Sequence, residues 1–301
     1  MSLRLEYSLL ERLSRYMKIR KPYVAGYFYP RERDVLEKDI EKAFLHELGP
    51  GEIPKVFNGF SHEVIGVISP HAGYVYSGHI AAHGYYLLAN CGKPDVVFIL
   101  GPNHQGAGDP ISLSSYDAWE TPLGIVKVNL ELSKRLVARS GVVSFDDTAH
   151  LYEHSIEVQI PFLQYLFGSD FEIIPVSMLL QEPESASILG KSIASLIKES
   201  GLKAYVIASS DFTHYEEARK AESKDRPVIE KILSMDVKGF YNKVFETGAT
   251  ICGPGPIMTI MSTAGALGFS RPKLLKYANS GDVTGDYSSV VCYASIAFYR
   301  S

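Results

Sequence analysis

An α/β fold in one domain, with a central mixed and largely parallel sheet flanked by helices, is what this 301-residue sequence predicts. Three observations carry that expectation. The runs Val64-Ile65-Gly66-Val67-Ile68, Val96-Val97-Phe98-Ile99-Leu100 and Ala204-Tyr205-Val206-Ile207-Ala208 are continuous, apolar and rich in β-branched residues, which reads as strands covered on both faces. Helix-patterned segments follow the first and third runs, which makes βα units. No Gly/Ser-rich, Pro-rich or charge-block linker divides them, so one domain is expected although the length alone, at roughly 150 residues per domain, would suggest two.

In chain order, residues 1–19 are expected to form a helical extension. Leu3, Leu9, Leu10, Leu13 and Met17 make an apolar stripe with basic residues opposite. Docking on its own domain or on a sister subunit is preferred over membrane-surface binding, because acidic residues dilute the basic face. The domain proper is then expected over 20–301. After the first strand, Ser77 through Leu88 fits a helix; after the third, Glu216 opens a charged helical stretch towards Arg226. Pro254 and Pro256 suit the first turn of a helix running through Ile257–Ala264. In open α/β sheets ligands bind outside the carboxyl ends of the strands, and His71, His104, Asp211 and His214 all lie just beyond such ends. They are expected to meet although far apart in sequence.

Composition narrows the function classes. A hydrophobic content of 46% supports a sizeable core, and a net charge of −4 provides no concentrated basic face for nucleic acid. Cys91, Cys252 and Cys292 are odd in number and lack CxxC spacing, which points to a reducing compartment. Charged residues interrupt the N-terminal leucines, and no stretch of about 20 apolar residues occurs, so a cytoplasmic protein without membrane attachment is expected. There is no GxSxG elbow, no GxxxxGK[ST] loop and no GxGxxG after a strand.

The chemistry rests on histidines. A lone histidine is more often structural than a ligand; two in equivalent positions on neighbouring βα units, His71 and His104, form a candidate metal pair suited to zinc, copper or iron. Cys252 and Asp211 compete for the third position. Two histidines with a carboxylate would resemble a non-haem Fe(II) triad, whereas a thiolate favours softer ions, and Cys252 is preferred. It precedes a helix N-terminus, where a thiolate is stabilised, although a free cysteine is often simply buried. Asp211 and His214 suit a hydrogen-bonded pair able to move a proton, with helix capping as the structural alternative. His79 with His83, and His150 with His154, have the i, i+4 spacing that lets two helix side chains face one ion. The first pair reads as helix packing. His154, with Glu157 three residues on, is a candidate substrate contact. Tyr74 and Tyr76 beside His71 could line an aromatic cleft, or supply core with one wet end.

Arg20-Lys21-Pro22-Tyr23-Val24-Ala25-Gly26-Tyr27-Phe28-Tyr29-Pro30, Pro70-His71-Ala72-Gly73-Tyr74, Gly101-Pro102-Asn103-His104, Glu153-His154-Ser155-Ile156-Glu157, Ser209-Ser210-Asp211-Phe212-Thr213-His214 and Ile251-Cys252-Gly253-Pro254 together resemble the Memo family, in order, from about Arg20 to Tyr299. The resemblance implies a fold like that of the class III extradiol dioxygenases. It places metal ligands at His71, His104 and Cys252, with Asp211 and His214 lining the same pocket. Cys252 stands where the dioxygenases have a carboxylate, so catechol cleavage does not carry over. Animal members imply a metal-linked redox role with iron or copper, and an adaptor role for phosphotyrosine segments that transfers poorly to a chain without signalling context. The expectation is therefore a metalloprotein using Fe(II) or Cu, with Zn as a further candidate, for redox or oxygen chemistry on a small substrate. In it, His214 moves a proton and His154 positions it. The alternatives are a zinc hydrolase at the same residues, with Asp211 or His214 as base, and a non-enzymatic module for a peptide or small ligand. Self-association into a homo-oligomer is left open.

Overall fold

The structure is a computed structural model that describes residues 17–301. Its strands are β1 (Ile19–Arg20), β2 (Val64–Ser69), β3 (Val96–Pro102), β4 (Ile111–Leu113), β5 (Ala118–Thr121), β6 (Gly124–Val128), β7 (Ser144–Phe145), β8 (Glu172–Met178), β9 (Ala204–Ser209), β10 (His214–Glu216), β11 (Arg271–Asn279) and β12 (Val290–Tyr299). Its α-helices are α1 (Arg33–Leu45), α2 (Tyr74–Cys91), α3 (Leu130–Ser140), α4 (Ile160–Phe167), α5 (Pro183–Ser200), α6 (Ala218–Leu233), α7 (Val237–Thr247), α8 (Pro254–Leu267) and α9 (Gly281–Thr284).

The sheet runs β1-β5-β6-β8-β3-β9-β2-β12-β10, with β11 also on β12, and β4 joining β8 to β7. Its centre, β6-β8-β3-β9-β2, is parallel. The β12 pairings with β2, β10 and β11 are antiparallel. The mixed, largely parallel sheet expected from the three apolar runs is present, and all residues of β2, β3 and β9 are buried.

Side-chain alternation along a strand explains why those runs are apolar throughout. In β3, Val96, Phe98 and Leu100 enter one core with Leu189, Ile193, Ile257 and Met261 from α5 and α8, while Val97 and Ile99 enter another with Ala82, Tyr85 and Phe162 from α2 and α4. A strand with helices on both faces has no polar side to show.

The helix expected over Ser77–Leu88 is longer, Tyr74–Cys91, and Pro254 starts α8 as its proline predicts. The helix expected from Glu216 begins later. Glu216 pairs with Val290 in β10, Tyr215 has φ +58°, and the Glu217 carboxylate accepts from the Arg219 and Lys220 amides, which caps α6 at that point. Of the extension expected over 1–19 only the last three residues are described, and Ile19 pairs with Ala118 in the sheet. The rest of it, with the apolar stripe up to Leu13, lies outside the described residues. Among these, no helix is long and apolar enough to cross a membrane.

Candidate metal centre

The carboxyl ends of β2, β3 and β9 point to one place. Ser69 is in register with Ser209, and Leu100 with Ala208, so the residues that follow these strands emerge side by side. His71, His104 and His154 there present ring nitrogens that all lie within 4.8 Å of one another.

His71 is buried and its ring is fixed by a chain of hydrogen bonds. The Ser209 hydroxyl donates its one proton to the Ser155 carbonyl at 2.6 Å and accepts from Gln159 Nε2 at 2.8 Å. It can therefore only accept from His71 Nδ1, 2.9 Å away. His71 is thus the Nδ1–H tautomer, and its bare Nε2 faces the cavity. Tyr85, in turn, donates to Gln159 Oε1. Burial, with His154, His104 and His214 nearby, pushes the His71 pKa well below its ordinary value, so the ring is neutral, the form that binds metals.

His104 is oriented by Glu153. The fully buried Glu153 carboxylate accepts from the His104 amide at 2.6 Å, from His104 Nδ1 at 2.9 Å and from the Ser155 amide at 2.8 Å. Burial alone would raise its pKa, but the hydrogen bond from His104, the nearness of both rings and the Ser155 amide overcome it and hold the group down at about 2. An ionised carboxylate only accepts, so Nδ1 carries the proton and Nε2 is free. A carboxylate behind a ring nitrogen is the usual support of a metal-binding histidine. Gly101 makes the approach feasible, since a β-carbon there would stand 2.3 Å from Ser155 Oγ. His154 stacks between His104 (4.6 Å) and Phe28 (4.5 Å), and burial lowers its pKa to about 4.

Cys252 Sγ lies 3.1 Å from His71 Nε2 and accepts the Asp211 amide at 3.1 Å. The helix-terminal activation expected for this thiol is not found. The first amides of α8 already have acceptors, Ser210 Oγ on Gly253 and Gln181 Oε1 on Gly255, and burial, reinforced by Asp211, pushes the thiol pKa up. A proton therefore sits between Cys252 and the bare His71 nitrogen unless an ion replaces it.

Asp211 and His214 line the same cavity but do not form the expected hydrogen-bonded pair. Asp211 Oδ1 accepts the His71 amide at 2.8 Å, and Oδ2 is 3.9 Å from His71 Nε2. His214 donates from Nδ1 to the Thr250 carbonyl. Burial raises the Asp211 pKa to about 6 against the pull of the His71 amide. His150 and His154 do not share a helix: His150 closes a 3₁₀ turn, lies buried against Trp119, and takes no part in the cluster. His79 and His83 pack within α2 as expected, His79 stacking on His46 and His83 bonding the Leu48 carbonyl. Tyr76 reaches the cavity, whereas Tyr74 is buried and donates to the Val158 carbonyl.

The model of the family described as Memo-like protein matches residues 20–297. The chain belongs to the Memo family. It is 49% identical over 279 residues to a MEMO1 family protein of Methanothermobacter thermautotrophicus, covering 93% of this chain and all of that one. It is 47% identical over 281 residues to a MEMO1 family protein of Methanopyrus kandleri, covering 93% and 99%. Among solved structures it is similar to an uncharacterized protein of Escherichia coli K12, with a TM-score of 0.51 at 10% identity over 77% of this chain and 98% of that one, a likeness of fold.

Three members of this Memo site were not singled out from sequence: Glu153, Gln159 and Ser209. Glu153 stands directly before His154 in one of the family motifs, and Ser209 follows the third apolar run and opens the motif that carries Asp211, so nearness to a candidate ligand was the available signal. Gln159 carries none; only folding shows that it bridges Tyr85 to Ser209.

Proposed function

We propose that this Memo protein is a metal-dependent redox protein acting with oxygen, or with a small oxygen-bearing substrate, at the cavity floor formed by His71, His104 and His154, with the Cys252 thiol beside His71. One observation carries the reading: His71 and His104 are each locked as the Nδ1–H tautomer by a buried acceptor, so two bare nitrogens converge with His154, and a thiol lies 3.1 Å from one of them, His71 Nε2. Neutral imidazoles with a thiol suit copper, iron or zinc, and the sulfur favours a soft, redox-active ion. When bound, such an ion supplies a one-electron couple and Lewis acidity. The chain's own residues do the rest. Ser209 and Glu153 keep the rings aimed, and Cys252 would join the ion only as the thiolate, after losing its proton. Asp211, its pKa raised by burial to about 6, could take that proton or hold one for a substrate, and His214 reaches the same space from the rim.

The test is anaerobic loading with Fe(II) or Cu(I), followed by oxygen uptake in the wild type and in Cys252→Ser. Slower uptake in the variant is expected; equal uptake would remove Cys252 from the mechanism. Loss of bound metal in His71→Ala and His104→Ala, measured by elemental analysis, checks the site itself. The raised pKa of Asp211 also favours a second reading, a zinc hydrolase with Asp211 as base. Turnover of ester substrates with Zn, but with no redox metal, would select it.

A further inference from the structure

The cavity above the histidines has a volume of about 630 Å³, and its outer part has a chemistry of its own. Phe28, Tyr76, Tyr215 and Tyr293 supply ring faces, and Tyr215, 79% exposed, stands in solvent at the mouth. Beyond them the rim is Ser280, Thr284, Asp286 and Ser289. Among the described residues no lysine or arginine lines this space; its fixed charges are carboxylates, Asp211 inside and Asp286 outside.

Asp286 is held in place rather than loose. Its Oδ1 accepts from the Ser288 amide at 2.9 Å and from the Ser288 hydroxyl at 2.6 Å, and its own amide donates to Thr284 Oγ1 at 3.2 Å. The next residue, Tyr287, accepts the first amide of α6 on its carbonyl, which ties the rim loop to the body of the protein. Both hydrogen bonds to the carboxylate use Oδ1, which leaves Oδ2 for a ligand.

We infer that this cavity selects small aromatic molecules with an ammonium group on the outward end and discriminates against the same molecules ending in a carboxylate. The inference deepens the reading of the cavity as a ligand site but does not need a metal at its floor. Ring faces attract cations through their quadrupole, and an unopposed carboxylate at the rim adds to that attraction while repelling an anion. Among the described residues no lysine or arginine at this rim would compensate an anionic end.

The experiment is calorimetric binding, at low ionic strength, of three probes with one phenol body: tyramine, 4-ethylphenol and 3-(4-hydroxyphenyl)propionate. It is run on metal-free and on Zn-loaded protein, with Asp286→Asn and Asp286→Lys as variants. In metal-free wild type, tyramine should bind about tenfold tighter than the propionate, with 4-ethylphenol between, the size expected from one charge near a partly solvated rim. Asp286→Asn should bring the two within about twofold, and Asp286→Lys should reverse the order. Equal binding of tyramine and the propionate, a ratio unmoved by both variants, or no binding of any probe would overturn the inference. Failure of zinc to bind would sink the zinc reading alone, since the metal-free comparison stands without it.

Discussion

At the scale of single residues, burial decides the protonation of this molecule more than charge pairing does. His150 is the simplest case, because it is buried beside the Arg20 guanidinium and belongs to no site; burial first, then Arg20, lowers its pKa to about 4. The unfolded chain would protonate this ring near pH 6.5 and the folded one only near pH 4, so the unfolded state binds more protons between those values. Stability therefore falls as pH drops from about 6.5 to about 4, by about 3 kcal/mol from this residue, and changes no further from it below. Urea titrations of His150→Leu across that range should show a flatter acid limb than wild type. Glu153→Ala is expected to act differently. It strips the acceptor from His104 Nδ1 and from two amides, and loss of such support behind a metal-binding ring costs about 10- to 100-fold in affinity. Zinc titration of this variant beside wild type measures it.

At the scale of elements, the segment from His150 to Glu157 is what assembles the site, and Arg20 is what holds the segment. The buried Arg20 guanidinium donates to the His150 carbonyl at 2.7 Å, to the Glu153 carbonyl at 2.8 Å and to Glu157 at 2.6 Å, and lies over the Trp119 ring. Glu157 also accepts the Tyr23 and Val24 amides and the Tyr29 hydroxyl. The opening family motif and the Glu-His motif are thus two halves of one buried clamp. Arg20→Met should destabilise the fold by about 3–5 kcal/mol, because Glu157 would be left buried without its partner. Chemical denaturation reads that loss, and lower zinc affinity in the protein that remains folded would show the clamp reaching His104. Gly101→Ala tests the same segment from the strand side. Its β-carbon would meet Ser155 Oγ at 2.3 Å, and metal affinity should fall while the rest of β3, packed on both faces, keeps its structure.

At the scale of the whole molecule, the site joins structures distant in the chain: the ends of β2, β3 and β9, the His150–Glu157 segment and the start of α8. An ion held by His71, His104 and His154 would cross-link the ends of β2 and β3 to the His150–Glu157 segment in the folded state alone. Binding therefore stabilises the protein, by about 2.7 kcal/mol at a hundredfold excess over Kd. Zinc should raise the midpoint of thermal unfolding by a few degrees in wild type and leave His71→Ala unshifted, which calorimetry would record as a displaced single transition.

Much of this was legible in the sequence because it is local. Short apolar runs rich in β-branched residues fit strands covered on both faces, the residues following parallel strands emerge at one edge of the sheet, and so His71, His104 and Asp211 could be brought together from their positions after such runs. The family motifs carried Cys252 to the same place. What waited for the fold was everything that depends on an atom's neighbour from elsewhere in the chain. Glu216 joined a strand because Glu217 caps the helix after it. His214 turned to Thr250 instead of Asp211, and Cys252 kept its proton because it is buried with Asp211 beside it. Residue types and spacing determined the architecture and the company of histidines. Tautomers, proton positions and the charge of the cavity were decided by tertiary contacts, since each depends on burial and on hydrogen-bond partners that one stretch of chain cannot supply.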